Sequence, residues 1–452
     1  MTDFINIIKS AIVNISDFVC GYPLFFLLIG GGLFLFIYSG VVPLRHFSSS
    51  IRALRKKGAT GEGQISSFQA LMSTISSTVG MGNIAGVAIA LAMGGPGAIF
   101  WMWVSALVGM STKFFEGSLA IMYKGTDNRG EIQGGPMYMI TKGLGEKWLP
   151  MAKFFAFFAM IGTLCVMQAN QLTESITTVF TTPAGIENTL LLRFVIGVVV
   201  CSLVAVVMLG GIERISKIAT KIVPLMVGGY FILVFGIMVI YYDRLPGVFA
   251  EIFNQAFNWE AGFGAMAGIA IIGARRAMYV NEAGVGTASL MHGASRNNEP
   301  VREGLIAMIG PAIDSGLVCT LTAIPILIAG NYDVDGVKGL TIALGAFEGL
   351  LPGYGQYLLM VIVMIFAFST MFSYSYYGTK CTGFLFGRQN AKYYDYFYLV
   401  MIVVACMISL DTVVSIMDLS FALMAFPTMF TVLRLAPKVR ARMNDYFAHE
   451  KD

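Results

Sequence analysis

The chain has 452 residues, 56% of them hydrophobic and 12% charged, with a mean hydropathy of +0.74. That leaves too little polar surface to coat a water-soluble globule of this length, so the soluble classes are excluded and the chain belongs in lipid. The formal net charge of +4 is small, and it says less than the placement of the charges along the chain.

Residues Met1 to Asp17 lack a basic leader and a small-residue cleavage site, which predicts no removable signal peptide. Phe4, Ile5, Ile8, Ile12 and Ile15 recur at helical spacing and predict a short helix lying along the membrane interface. From Phe18 to Leu435 apolar runs near 20 residues follow one another, each able to cross ~30 Å of hydrocarbon at ~1.5 Å per residue. The predicted spans are 18–42, 66–93, 97–123, 153–180, 189–209, 218–241, 263–290, 303–329, 357–384, 394–410 and 412–434. The fold class expected is therefore an all-α polytopic membrane protein with about eleven transmembrane helices. Basic residues crowd into alternate loops, from Arg45–Lys57 through Lys124–Lys153, Arg214–Lys221, Arg296–Arg302 and Lys380–Lys392 to the tail. The opposite loops hold only Lys9, Arg193, Arg244 and Lys338, which predicts the N-terminus outside and the C-terminus in the cytoplasm.

Setting the first span aside leaves ten, and two sets of five must enter the membrane in opposite senses, as in an inverted repeat. The expected organisation is a segment 1–65 with the extra helix and a basic loop, repeats at 66–241 and 263–434, and a cytoplasmic tail 435–452. The first span of each set is polar and glycine-rich in its middle. One carries Ser73, Thr74, Ser76, Ser77 and Thr78 ahead of Gly80-Met81-Gly82-Asn83; the other carries Arg275, Arg276 and Tyr279 ahead of Asn281-Glu282-Ala283-Gly284-Val285-Gly286. Glycines and hydroxyl runs weaken helices, and non-helical backbone at membrane depth is tolerated only against protein or a watery cavity. Freed amides at such a break suit a carboxylate, and freed carbonyls suit a cation. Close helix packing is the plainer explanation of the glycines, but packing alone does not call for Asn83 and five hydroxyls. Gly80 to Ala85 also fits the dinucleotide pattern G-x-G-x-x-A, which lacks its preceding strand here.

Further along, Gln168, Asn170, Gln171, Glu174 and Ser175 stud the span 153–180. A side-chain amide can serve both ends of a zwitterion, or simply bond between helices. Ser369, Thr370, Ser373, Tyr374 and Ser375 follow a long apolar stretch and offer hard oxygens to a small cation, unless each bonds back within its own helix. Lys113, Glu116, Arg275, Arg276, Glu282 and Asp314 need partners or water in a bilayer; Glu116 is expected to snorkel with Lys113, and the others to form gate or structural ion pairs. Six scattered cysteines and three distant histidines (His46, His292 and His449) have no metal-ligand spacing.

Gly80-Met81-Gly82-Asn83-Ile84-Ala85-Gly86-Val87-Ala88, Gly94-Gly95-Pro96-Gly97-Ala98-Ile99-Phe100-Trp101-Met102-Trp103, Gly134-Gly135-Pro136-Met137-Tyr138 and Asn281-Glu282-Ala283-Gly284 resemble the alanine or glycine:cation symporter family over almost the whole chain. The resemblance implies a ten-helix core of the amino acid, polyamine and organocation transporter fold behind one extra helix. It implies substrate contacts at Gly80, Met81, Gly82, Asn83, Gln168, Tyr279, Thr370 and Tyr374, with the Met81 and Gly82 amides on the carboxylate. For Na⁺ it implies Ser369 and Thr370 with main-chain oxygens near Ser76 and Val79. Met81, Tyr374, Tyr279 and Val280 depart from the residues usual in the family, which allows a pocket of altered volume.

The function expected is sodium-coupled import of a small neutral amino acid, alanine or glycine, by alternating access. The alternatives are a proton-coupled carrier, with Glu174, Glu282 or Asp314 as the proton site, or a sodium symporter for a larger neutral amino acid such as glutamine. No catalytic residues, no cofactor beyond the coupling Na⁺ and no nucleic-acid partner are expected. The setting expected is a monomer in a prokaryotic cytoplasmic membrane.

Overall fold

The computed structural model describes residues 13–16, 18–55, 61–128, 130–258, 262–332, 339–408 and 410–449; most of the expected interfacial helix lies outside them. The described chain is almost wholly helical, with one two-stranded hairpin, β1 (Gly125–Thr126) against β2 (Ile132–Gln133). Helices fall on all the expected apolar stretches. They are α1 (Tyr22–Tyr38), α2 (Phe47–Arg55) in the basic loop, the pair α3 (Ser67–Thr78) and α4 (Gly82–Gly94), α5 (Gly97–Met122), α6 (Leu149–Gly162), α7 (166–181), α8 (Leu190–Met208) and α9 (Gly211–Ile240). After α10 (Leu245–Ala256) come α11 (Gly262–Asn281) and α12 (Thr287–His292), α13 (Pro300–Ala329), α14 (Leu340–Leu350), α15 (Gly355–Phe386), α16 (Ala391–Met407) and α17 (Leu410–His449). By length and composition seven described helices can cross a membrane, or eight if the bent pair α3 and α4 is one span.

Burial separates the centre from the rim. The most apolar windows of α5 and α15 are each 72% buried, those of α8 and α9 only 22% and 28%, although α8 and α9 are the more hydrophobic. Leu191, Leu203, Val206, Ile232 and Phe235 point outward from them, as helices do when the solvent is lipid. The core is therefore built around α3, α5, α13 and α15. The first half of one interrupted helix packs on the second half of the other, α3 on α12 and α4 on α11. The two interrupted helices thus run in opposite directions side by side.

Four features differ from the expectation. α10 and α14 occupy stretches read as loops. α10 opens on Pro246 and buries Val248, Ile252 and Ala256 on one stripe, while the 11 residues of α14 span only about 16 Å. The span expected at 153–180 is two helices, parted at Cys165 with φ 51°. Past the boundary expected at 434, α17 continues and buries Leu435, Val439 and Met443 at four-residue intervals, so the tail as far as His449 is packed helix.

Candidate functional site

α3 starts on a reciprocal cap, with Ser66 Oγ accepting from the Gln69 amide at 3.2 Å and Gln69 Oε1 accepting from the Ser66 amide at 2.9 Å. It ends at Val79, whose ψ of 94° turns the chain out of the helix. In an uninterrupted helix the Gly80 amide would donate to the Ser76 carbonyl; here it donates to Asn83 Oδ1 at 2.9 Å. Asn83 is fully buried, and its Nδ2 donates to the Asp314 carbonyl at 3.3 Å. The bend across the break is 54°.

The end of α3 is laid directly on α15. Ser76 Oγ donates to the Ser369 carbonyl at 2.9 Å and accepts from Ser373 Oγ at 3.0 Å. Ser369 and Thr370 hydroxyls donate to the Phe366 carbonyl at 2.9 and 3.0 Å, leaving their lone pairs free to coordinate. A Cβ on Gly80 would stand 2.4 Å from Thr370 Oγ1, so only glycine permits this approach. Ser76, Ser369 and Thr370 are thus gathered where α3 loses its helical winding, with Val79 buried beside Gly80. Hydroxyl and carbonyl oxygens of this kind fit a small hard cation.

The second break is held by carboxylates. Glu282, Gly284 and Gly286 have φ of 52°, 88° and 98°, and a Cβ on Gly284 would meet Leu28 at 2.4 Å. The Ala283 amide donates to Asn281 Oδ1 at 3.0 Å and the Gly284 amide to Glu116 Oε1 at 3.1 Å. Glu282 accepts from Tyr374 OH and from Thr287 Oγ1. Lys113 is 1% exposed and Glu116 fully buried, so the expected snorkelling of this pair does not occur: Gly284 recruits Glu116 inward. The Lys113 charge acts on Glu116, Glu282 and Asp314 alike.

Beside the first break lies a cavity of about 90 Å³; none of Asn281 to Gly286 lines it, so the second break, expected to share the site, stands behind it. Gly80, Met81 and Gly82 reach it from the first break, Gln168 from α7, Tyr279 from α11, and Thr370 and Tyr374 from α15. Asn83 does not line it; its amide is spent on the backbone behind. Ser77, Thr78 and Arg276 also line the cavity, and sequence reasoning missed Met167, Met417, Asp418 and Phe421, which complete the lining. The signal for Asp418 was present, an acid inside an apolar run, and it supplies the electrostatic partner that Arg275 and Arg276 lacked. The other polar residues of α7 serve elsewhere. Asn170 Nδ2 bonds to the Ala405 and Ile408 carbonyls at 2.8 and 2.6 Å, and Ser175 Oγ to the Gln171 carbonyl at 2.7 Å. Glu174, with 51% of its side chain exposed, pairs with Arg193, which removes it from the interior positions a proton site would need.

One end of both interrupted helices is clamped. The Gly61 and Gln64 amides donate to the Arg296 and Ala294 carbonyls at 2.8 Å each, and the Arg296 amide to the Ile65 carbonyl at 2.7 Å. Lys124 Nζ donates to the Glu62, Ser295 and Asn297 carbonyls at 3.1, 2.6 and 2.8 Å. Glu303 joins His292 at 2.7 Å, Ser67 at 2.7 Å and Asn297 at 2.9 Å.

Known proteins resemble this chain along its length. The pattern of the sodium:alanine symporter family matches residues 5–452. The chain is 36% identical to the sodium/alanine symporter AgcS of Methanococcus maripaludis over 96% of its own length and 95% of that protein. It is 30% identical to the probable sodium/glutamine symporter GlnT of Bacillus subtilis, over 96% and 90%. Among solved structures, MhsT in complex with L-phenylalanine superimposes with a TM-score of 0.58 at 12% identity, over 82% of this chain and 89% of that one, a likeness of fold.

Proposed function

The chain belongs to the sodium:alanine symporter family, and on that premise we propose that it imports alanine or glycine together with Na⁺ by alternating access. It is a transporter of the sodium and amino-acid symporter class and not an enzyme. The observation that carries the substrate assignment is the cavity of about 90 Å³ beside the first break, a volume suited to a small amino acid. The Met81 and Gly82 amides, at the start of the renewed helix, are suited to the carboxylate. Gln168 can both donate and accept, and Tyr374, braced by Glu282, walls the cavity.

Na⁺ takes the hydroxyls of Ser369 and Thr370 and the main-chain oxygens of Ser76 and Val79. It orders the end of α3 and so raises the affinity of the adjoining cavity, and the substrate must tighten Na⁺ in return. The antiparallel packing of the interrupted helices supports a five-plus-five inverted repeat behind the extra helix, in a chain spanning the membrane eleven times with the N-terminus outside. We place it as a monomer in a prokaryotic cytoplasmic membrane. Vesicles containing the purified protein, given a panel of labelled amino acids under a Na⁺ gradient, should concentrate alanine or glycine and stop when choline replaces Na⁺ at fixed pH. Uptake that persists in choline but follows a pH gradient would reject Na⁺ coupling, and accumulation of glutamine in preference to alanine would reject the substrate.

A further inference from the structure

Beside the substrate cavity lies a larger one of about 340 Å³, walled in part by Glu131, Glu213, Ser375, Lys380, Arg388 and Asp395. Ser375 follows Tyr374, which lines the smaller cavity, so neighbouring positions of α15 serve the two cavities. Lys380 is 8% exposed, and its Nζ has no hydrogen-bond partner among the described residues. The nearest aromatic face, that of Tyr376, is 5.1 Å away, a weak substitute for the hydration an ammonium loses on burial. The other cation is already committed, with Arg388 Nη2 3.7 Å from Glu131 Oε2. Asp395 accepts from Thr379 Oγ1 at 2.5 Å.

A buried ammonium without an acceptor calls for an anionic oxygen. Phosphate or another multiply charged anion would bring its charge against Glu131, Glu213 and Asp395, while a bare cation would leave Lys380 unanswered. A zwitterion satisfies both poles. We propose that this cavity is a second, weaker site for the transported amino acid, its carboxylate on Lys380 and its ammonium on Asp395 and Glu131, occupied between leaving the first cavity and escaping to the cytoplasm. The inference rests on the reading of the chain as an amino-acid symporter. The greater volume and mixed charge make the site looser than the first.

Binding of labelled alanine to the purified full-length protein, with and without Na⁺, tests it. The expected result is two classes of site, one tight and Na⁺-dependent, the other weaker and independent of Na⁺. Lys380→Gln should weaken the second class by about tenfold or more, the loss of one charged hydrogen bond, and keep the first, which also reports that the variant is folded. Lys380→Arg should retain both, Asp395→Asn should repeat the loss from the ammonium end, and inorganic phosphate should not compete. A single Na⁺-dependent class in the unaltered protein, or a second class indifferent to Lys380→Gln, overturns the second site alone. Absence of any Na⁺-dependent binding in the unaltered protein overturns the symporter reading and the second site with it.

Discussion

Asn83 shows how a polar residue inside a membrane helix can be essential without touching the ligand. Its oxygen takes the Gly80 amide that the Ser76 carbonyl would otherwise hold, and its nitrogen ties the break to Asp314. Asn83→Ala would strand a buried donor at a cost of about 1–3 kcal/mol. The expected outcome is a lower unfolding temperature together with weaker Na⁺-dependent alanine binding; normal binding at reduced stability would show that the break forms without its cap. Thr370→Ala removes one candidate ion ligand while leaving the helix intact. It should raise the Na⁺ needed for half-maximal uptake by about tenfold with little effect on expression, and an unchanged Na⁺ titration would take Thr370 out of the ion site. The sequence singled out both residues but could not divide them between scaffold and lining, because that depends on which way each side chain leaves a bent backbone.

At the scale of elements, the glycines in the two breaks have different duties. Gly80 is where α3 meets α15, with 2.4 Å from a would-be Cβ to Thr370 Oγ1, whereas the nearest atom at Gly82 is 3.6 Å away on Val280. Gly80→Ala forces a helix displacement costing about 1–3 kcal/mol at the ion site and should abolish Na⁺-stimulated uptake, while Gly82→Ala should keep measurable uptake. Equal loss in both variants would point to helix propensity rather than contact. Both breaks were legible because glycines and hydroxyls have no business in the middle of an apolar span. The break at Cys165 was not, since a non-glycine residue with φ 51° carries no local signature. α10 and α14 were missed for a related reason: helices of only 12 and 11 residues look like loops to a search for membrane-length runs.

For the whole molecule, the clamp between residues 61–67 and 292–303 fixes the same end of both interrupted helices. Alternating access requires an equivalent contact to open once per cycle. Lys124→Gln removes a donor shared by three carbonyls and should speed amide hydrogen exchange at Gln64, Ile65 and Arg296 severalfold without unfolding the core. Exchange that stays at the level of the unaltered protein would show that Glu303 and the backbone pairing hold the clamp alone. Coupling between ion and substrate makes a stricter demand. Whatever factor saturating Na⁺ gives to alanine affinity, saturating alanine must give to Na⁺ affinity, and unequal factors measured on one preparation would exclude the single-cycle scheme.

Composition and periodicity determined the solvent of this protein, its helical class and the two places where its helices fail, because each of those follows from the cost of exposing backbone or charge to hydrocarbon. The tertiary structure alone decided the partners. Lys113 and Glu116 lie one turn apart on α5 and read as a snorkelling pair, yet the Gly284 amide, 168 residues away in sequence, holds Glu116 inside. Asp418 acts on Arg275 and Arg276, more than 140 residues earlier in the chain, only in the folded molecule. Such pairings depend on which helices become neighbours, and in a bundle where lipid gives every apolar face the same welcome, that choice is made by packing and polar contact between distant segments.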